Sequence, residues 1–137
     1  MKKAKSPIVR FVATSVVVSD SNPSFLLVGF ADMRNDKCRE AFHFQRAYEF
    51  DDQDRALGMA SVYAERTGQN QGGYGGVERV ELRRDQVHIH LCGDVAKRMK
   101  TSEVQISFDI SPEEYSRLRQ ALRTIFAGFG TLVEEDE

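Results

Sequence analysis

His88, His90 and Cys92 occupy alternate positions of the stretch QVHIHLC. On a β-strand such positions share one face, and imidazole and thiolate are ligands that zinc or copper accepts. Neighbouring same-face strand positions point side by side, however, rather than inward around an ion. A further ligand must come from another element, and His43 is the spare histidine. A plainer arrangement uses the same residues. Folding the chain about Arg84-Asp85 sets Leu82 opposite Val87, Val80 opposite Ile89 and Glu81 opposite His88, which leaves the histidine beside a carboxylate on a solvated face. No metal and no cofactor is therefore expected. The His88/His90 face remains the basis of an alternative, a metal- or small-molecule-binding protein.

The run Gly72-Gly73-Tyr74-Gly75-Gly76 could suggest a phosphate cradle. It lacks the Lys-Ser/Thr ending of a P-loop and the G-x-G-x-x-G spacing, and a strand follows it where a helix N-terminus would be needed. It reads as a mobile connection, with Tyr74 as an aromatic binding anchor. Asp51, Asp52 and Asp54 could chelate a hard cation, but the later glycine and bidentate glutamate of a calcium loop do not follow. A solvated acidic turn, opening a short helical turn, is the better reading. No Ser, Cys or Thr stands in a nucleophile motif such as G-x-S-x-G, so the chain is not expected to be an enzyme.

These residues need a scaffold, and 137 residues with 41% apolar and 29% charged side chains supply one ordinary globular domain. The net charge of −2 argues against a nucleic-acid partner. Residues 1–7 form a flexible basic N-terminus and residues 130–137 an acidic tail. Arg10, Thr14 and Ser15 interrupt the one stretch that imitates a leader peptide, and no apolar run is long enough to span a bilayer. Two cysteines without C-x-x-C spacing fit a reducing compartment. A cytoplasmic protein without a membrane association is expected.

Period two dominates. Residues 8–18 read as one valine-rich strand with Val9, Phe11, Ala13 and Val17 on one face. Phe25–Phe30 reads as a central strand, and Asp32–Arg39 as a loop. Phe42, Phe44, Tyr48 and Phe50 make the inward face of a half-buried strand, and a weaker strand covers Ala60–Arg66. The hairpin about Arg84-Asp85 and a strand through Val104, Ile106, Phe108 and Ile110 follow. Ser111, Pro112 and Glu114 then open a helix as N-cap, first residue and capping-box partner. Its apolar stripe is Tyr115, Leu118, Leu122, Ile125, Phe126 and Phe129, and Gly128 ends it. The expected fold is α+β: a mostly antiparallel twisted sheet of about six to seven strands, with one C-terminal amphipathic helix packed on one face.

Three segments, in this order and spacing, resemble the immunity protein 10 family of bacterial polymorphic toxin systems. They are FHFQRAYEFDDQDRALGMASVY from Phe42, GGYGGVERVELRRDQVHIHL from Gly72, and FDISPEEYSRLRQALRTIFAG from Phe108. The resemblance extends from about Phe25 onward, leaving the basic N-terminus and the acidic tail outside it. It implies a small non-catalytic protein that binds and neutralises a cognate toxin domain. It brings no contact motif with it. The contacts expected from exposure are Asp51, Asp52, Asp54, Tyr74, Arg79, Glu81 and His88. A monomer or a homodimer is compatible with the sequence; a regulatory dimer formed through an open sheet face is a further alternative.

Overall fold

The computed structural model describes residues 8–21, 23–57, 60–67 and 71–135. Among them are ten strands in two five-stranded sheets, with three helices. The first sheet runs β1 (Val9–Ala13), β9 (Glu103–Phe108), β8 (Gln86–Leu91), β7 (Val77–Leu82), β10 (Leu132–Glu134). The second runs β2 (Ser15–Ser19), β3 (Phe25–Arg34), β4 (Lys37–Ala47), β5 (Tyr63–Arg66), β6 (Gly72–Tyr74). Helices α1 (Asp52–Ala56), α2 (Gly93–Met99) and α3 (Pro112–Ile125) complete the α+β fold.

The strand count and the division into two sheets differ from the sequence expectation: β6 and β10 stand where a mobile connection and a tail were expected, and Thr14 divides the valine-rich run between the sheets. The valine-rich run is two strands, not one. β1 lies parallel to β9, while β2 lies antiparallel to β3. Between them, the Thr14 N–H donates to the Ala31 carbonyl at 2.9 Å and its Oγ1 accepts the Met33 N–H at 2.8 Å, so the chain is stitched onto β3 as it leaves β9. The alternation slips by one residue there. Phe11 and Ala13 face the core, then Val16 and Val18, while Val17 is 48% exposed. A one-residue slip exchanges the two faces of a strand, and valine suits either face, so composition alone does not reveal it.

The stretch Asp32–Arg39, expected as a loop, is the tip of the β3–β4 hairpin. Asn35 and Asp36 both take positive φ, 52° and 63°, and turn the chain there. Cross-strand pairing buries Leu26, Val28 and Phe30 of β3 with Phe42 and Phe44 of β4. Tyr48, expected inward, lies just beyond the end of β4 and is exposed. The β7–β8 hairpin has the expected register, with Glu81 opposite His88, Leu82 opposite Val87 and Val80 opposite Ile89. The acidic end, expected as a tail, supplies β10, which pairs in parallel with β7 through Leu132–Val80. Residues 1–7 lie outside the described residues.

The glycine run is also more ordered than its composition suggests. Gly72 and Gly73 belong to β6 and are buried. A Cβ on Gly72 would stand 2.6 Å from the Ala64 carbonyl oxygen, so that glycine answers a close approach of two backbones. Residues 68–70 lie outside the described residues.

Helix α3 begins as read. The Ser111 hydroxyl accepts the Glu114 N–H and the Glu114 carboxylate accepts the Ser111 N–H. Leu118, Leu122, Ile125 and Phe126 are buried in one apolar core, with α3 lying against β2, β3 and β4 of the second sheet. Phe30 stacks on Phe108 at 6.1 Å to join the sheets, and Phe44 meets Phe126 edge-on at 5.1 Å. Arg46 on β4 closes the far end of the helix. Its Nη1 donates to the carbonyls of Thr124, Ile125 and Ala127 at 3.2, 3.0 and 2.7 Å. The rings of Phe50 and Phe129 lie 5.2 and 4.9 Å from its guanidinium carbon. Phe129 thus leaves the helix stripe, is 41% exposed and covers an arginine.

Candidate functional site

Polar side chains gather on the outward faces of the two sheets. On the first sheet, β7, β8 and β9 turn Glu81, His88, His90 and Glu103 away from the core, since Val80, Leu82, Val87, Ile89 and Val104 take the inward positions. The histidine rings stack at 4.3 Å. Glu81 faces His88 in register, but its carboxylate reaches diagonally to His90. His90 Nε2 donates to Glu81 Oε1 at 2.8 Å, and His88 Nε2 donates to Glu103 Oε1 at 3.0 Å. Arg79 Nε also contacts Glu81, at 3.2 Å. The hydrogen bond from His90 is the main cause that holds the Glu81 carboxyl below its ordinary value, against the opposing effect of burial, with the Arg79 charge adding to the lowering.

The second sheet presents a different chemistry. Its outward positions pair Gly29 with His43, His43 with Glu65, Gln45 with Tyr63 and Tyr63 with Tyr74. Tyr63 donates its hydroxyl to Glu65 at 2.6 Å and packs against Tyr74 at 5.1 Å and His43 at 6.1 Å. Burial pushes His43 below its usual value, partly offset by Glu65. The hydrogen bond to Glu65 pushes the Tyr63 phenol up to about 12, because a phenolate there would face a carboxylate. A spectrophotometric titration is expected to show one tyrosine ionising near that value. Glu65→Gln should return it toward the ordinary tyrosine range, and an unchanged titration in that variant would remove Glu65 as the cause.

The three acidic residues sit at the start of α1, between β4 and β5. Asp51 caps the helix by accepting the Asp54 N–H at 2.7 Å, and Asp54 returns the bond to the Asp51 N–H at 3.1 Å. Asp52 pairs with Arg55 at 3.2 Å and is otherwise fully exposed. Tyr74 is exposed on the edge strand β6.

The seven expected contact residues therefore divide into two groups. Asp51, Asp52 and Asp54 lie on the connection between β4 and β5, and Tyr74 lies on β6, the edge strand of the same second sheet. Arg79, Glu81 and His88 lie on the outer face of the first sheet. Sequence reasoning passed over Glu103, Tyr63 and Glu65. The Tyr63-x-Glu65 alternation was a legible sign of a shared face, whereas Glu103 needed the β8–β9 register.

None of the curated proteins matches the chain in sequence. A family model described as immunity protein 10 matches residues 12–116, from β1 into the first turns of α3. That span is most of the chain and holds both outward clusters, so this chain belongs to the immunity protein 10 family.

Proposed function

We propose that this chain acts in the bacterial cytoplasm as an immunity protein, binding a cognate toxin domain of a polymorphic toxin system and neutralising it by protein–protein contact, without chemistry of its own. Membership of the immunity protein 10 family is the observation that carries this reading.

The contact surface we favour is the β4–β5 end of the second sheet. Tyr63 and Tyr74 supply two adjoining rings with polar tips, of the kind that anchor protein interfaces. The α1 carboxylates, on the connection between β4 and β5, would attract a cationic toxin surface and speed encounter. Asp51 and Asp54 are committed to capping their own helix, so Asp52, fully exposed and held only by an exposed pair with Arg55, is the acid best placed to meet a partner. Arg79, Glu81 and His88 fall on the other sheet and would not join the same contact.

The test uses the toxin encoded beside this chain's gene, with binding measured by calorimetry and protection measured in cells expressing the toxin. Tyr74→Ala is expected to weaken binding by at least ~10-fold, as for an aromatic anchor. Asp52→Lys should slow association chiefly at low salt. Arg79→Ala should leave binding unchanged. Cells killed equally with and without the chain would overturn the reading, whereas intact binding in both Tyr74→Ala and Asp52→Lys would move the contact elsewhere.

A further inference from the structure

Side chains on one face of the histidine strand lie side by side and need a converging partner to hold an ion. The adjacent strand supplies one. Among the described residues, Glu81, His88 and His90 form the one set of three whose ligand atoms all lie within 4.8 Å of one another. Neither His43, on the second sheet, nor Cys92, just after β8, belongs to it.

We infer that Glu81 on β7, with His88 and His90 on β8, forms a binding site for a divalent transition ion of the zinc type. Two imidazoles and a carboxylate suit such an ion. In a tetrahedral site with bonds of 2.0–2.1 Å, neighbouring ligand atoms stand about 3.4 Å apart. Glu81 Oε1 and His90 Nε2 are 2.8 Å apart, already inside that spacing, and the ligand atom of His88 lies within 4.8 Å of both, so the set closes around an ion when the His88 ring turns toward them. All three side chains are half-buried, which leaves the ion one face open to water or to a further ligand.

Glu103 on β9 completes the surroundings. Its Oε1 is 3.0 Å from His88 Nε2 and 3.8 Å from His90 Nδ1. When His90 Nε2 gives its lone pair to the ion, the ring proton must reside on Nδ1, and a shift of about 1 Å would bring Glu103 Oε1 from 3.8 Å to hydrogen-bond distance of it. That is the usual carboxylate partner of a metal-bound imidazole. Glu81 and Glu103 together also balance the two positive charges of the ion. Arg79 opposes binding, because its guanidinium holds Glu81 Oε1 and adds a like charge. Half its side chain is exposed and free to swing away.

The test is a calorimetric titration of the chelator-treated full-length chain with Zn2+, paired with the visible absorption of the Co2+ form. One ion per chain is expected, with a tetrahedral cobalt spectrum. His88→Ala and His90→Ala should each weaken binding by more than ~100-fold, and Glu103→Gln by a smaller factor, within the ~10–100-fold range of supporting carboxylates. His43→Ala should leave binding unchanged, and Arg79→Ala should tighten it. A wild-type chain that retains no more Zn2+ than the His88→Ala/His90→Ala double variant would overturn the site. So would an equal loss in His43→Ala, or weaker binding in Arg79→Ala.

Discussion

Gly76→Ala is expected to destabilise the protein by ~3 kcal/mol, the upper part of the range for overpacking a filled core. A Cβ at this position would lie 2.2 Å from both Cβ and Cγ2 of Val95, a buried residue of α2. The φ of Gly76 is not positive, so alanine suffers no backbone strain and the cost is steric alone. Neither side can retreat easily, because the Gly76 carbonyl accepts the Cys92 N–H at 2.9 Å, at the start of the same helix. Thermal unfolding should show a midpoint lowered by roughly 10 °C. Val95→Ala should not rescue the variant, since the clash is with the first carbon of the valine side chain, whereas Val95→Gly should recover part of the loss. A Gly76→Ala midpoint equal to that of the wild type would show that α2 can be displaced without cost.

Arg46→Ala is expected to cost a similar ~3 kcal/mol, because it removes charge-assisted hydrogen bonds and cation–π stacking in one step. Three carbonyls at the end of α3 share this one guanidinium, and an alanine would leave them to solvent. Helix ends collect unpaired acceptors, and a cation there also meets the negative end of the helix dipole. Arg46→Lys keeps the charge but not the flat surface between Phe50 and Phe129. It should recover less than half of the loss in urea unfolding. Full recovery by lysine would assign the whole effect to charge.

The parts of the fold that could be read from the sequence were those in which two independent signals agreed. The β7–β8 hairpin had alternation on both strands and a polar dipeptide between them, so one register satisfied every pair. The start of α3 combined a capping serine, a proline and a glutamate at fixed spacing. Helix α2 had only Val95 and Met99, four residues apart, with Lys97 and Arg98 in its last turn. No side chain of its N-cap, Cys92, announces where it begins. The division into two sheets rests on Thr14, whose hydrogen bonds to β3 are tertiary and leave no local trace. At the outward sites the residue types were visible, but their partners were set by strand order. Glu81 and His88 could be paired within a hairpin, whereas Glu103 reached them through a strand that arrives after α2.

The parallel pairing of β1 with β9 also constrains when the protein can form. Val9 finds its partner in Val104, and Arg10 bonds Gln105 across 95 positions of chain. During synthesis β1 waits unpaired while the β2–β3–β4 meander, whose neighbours are local, can already close. Pairings separated so far in sequence carry a large loop-closure cost and slow the final docking. The two β-branched halves of one short run thus belong to opposite ends of the folding sequence, β2 among the early pairings and β1 among the last, with Thr14 as the joint between them.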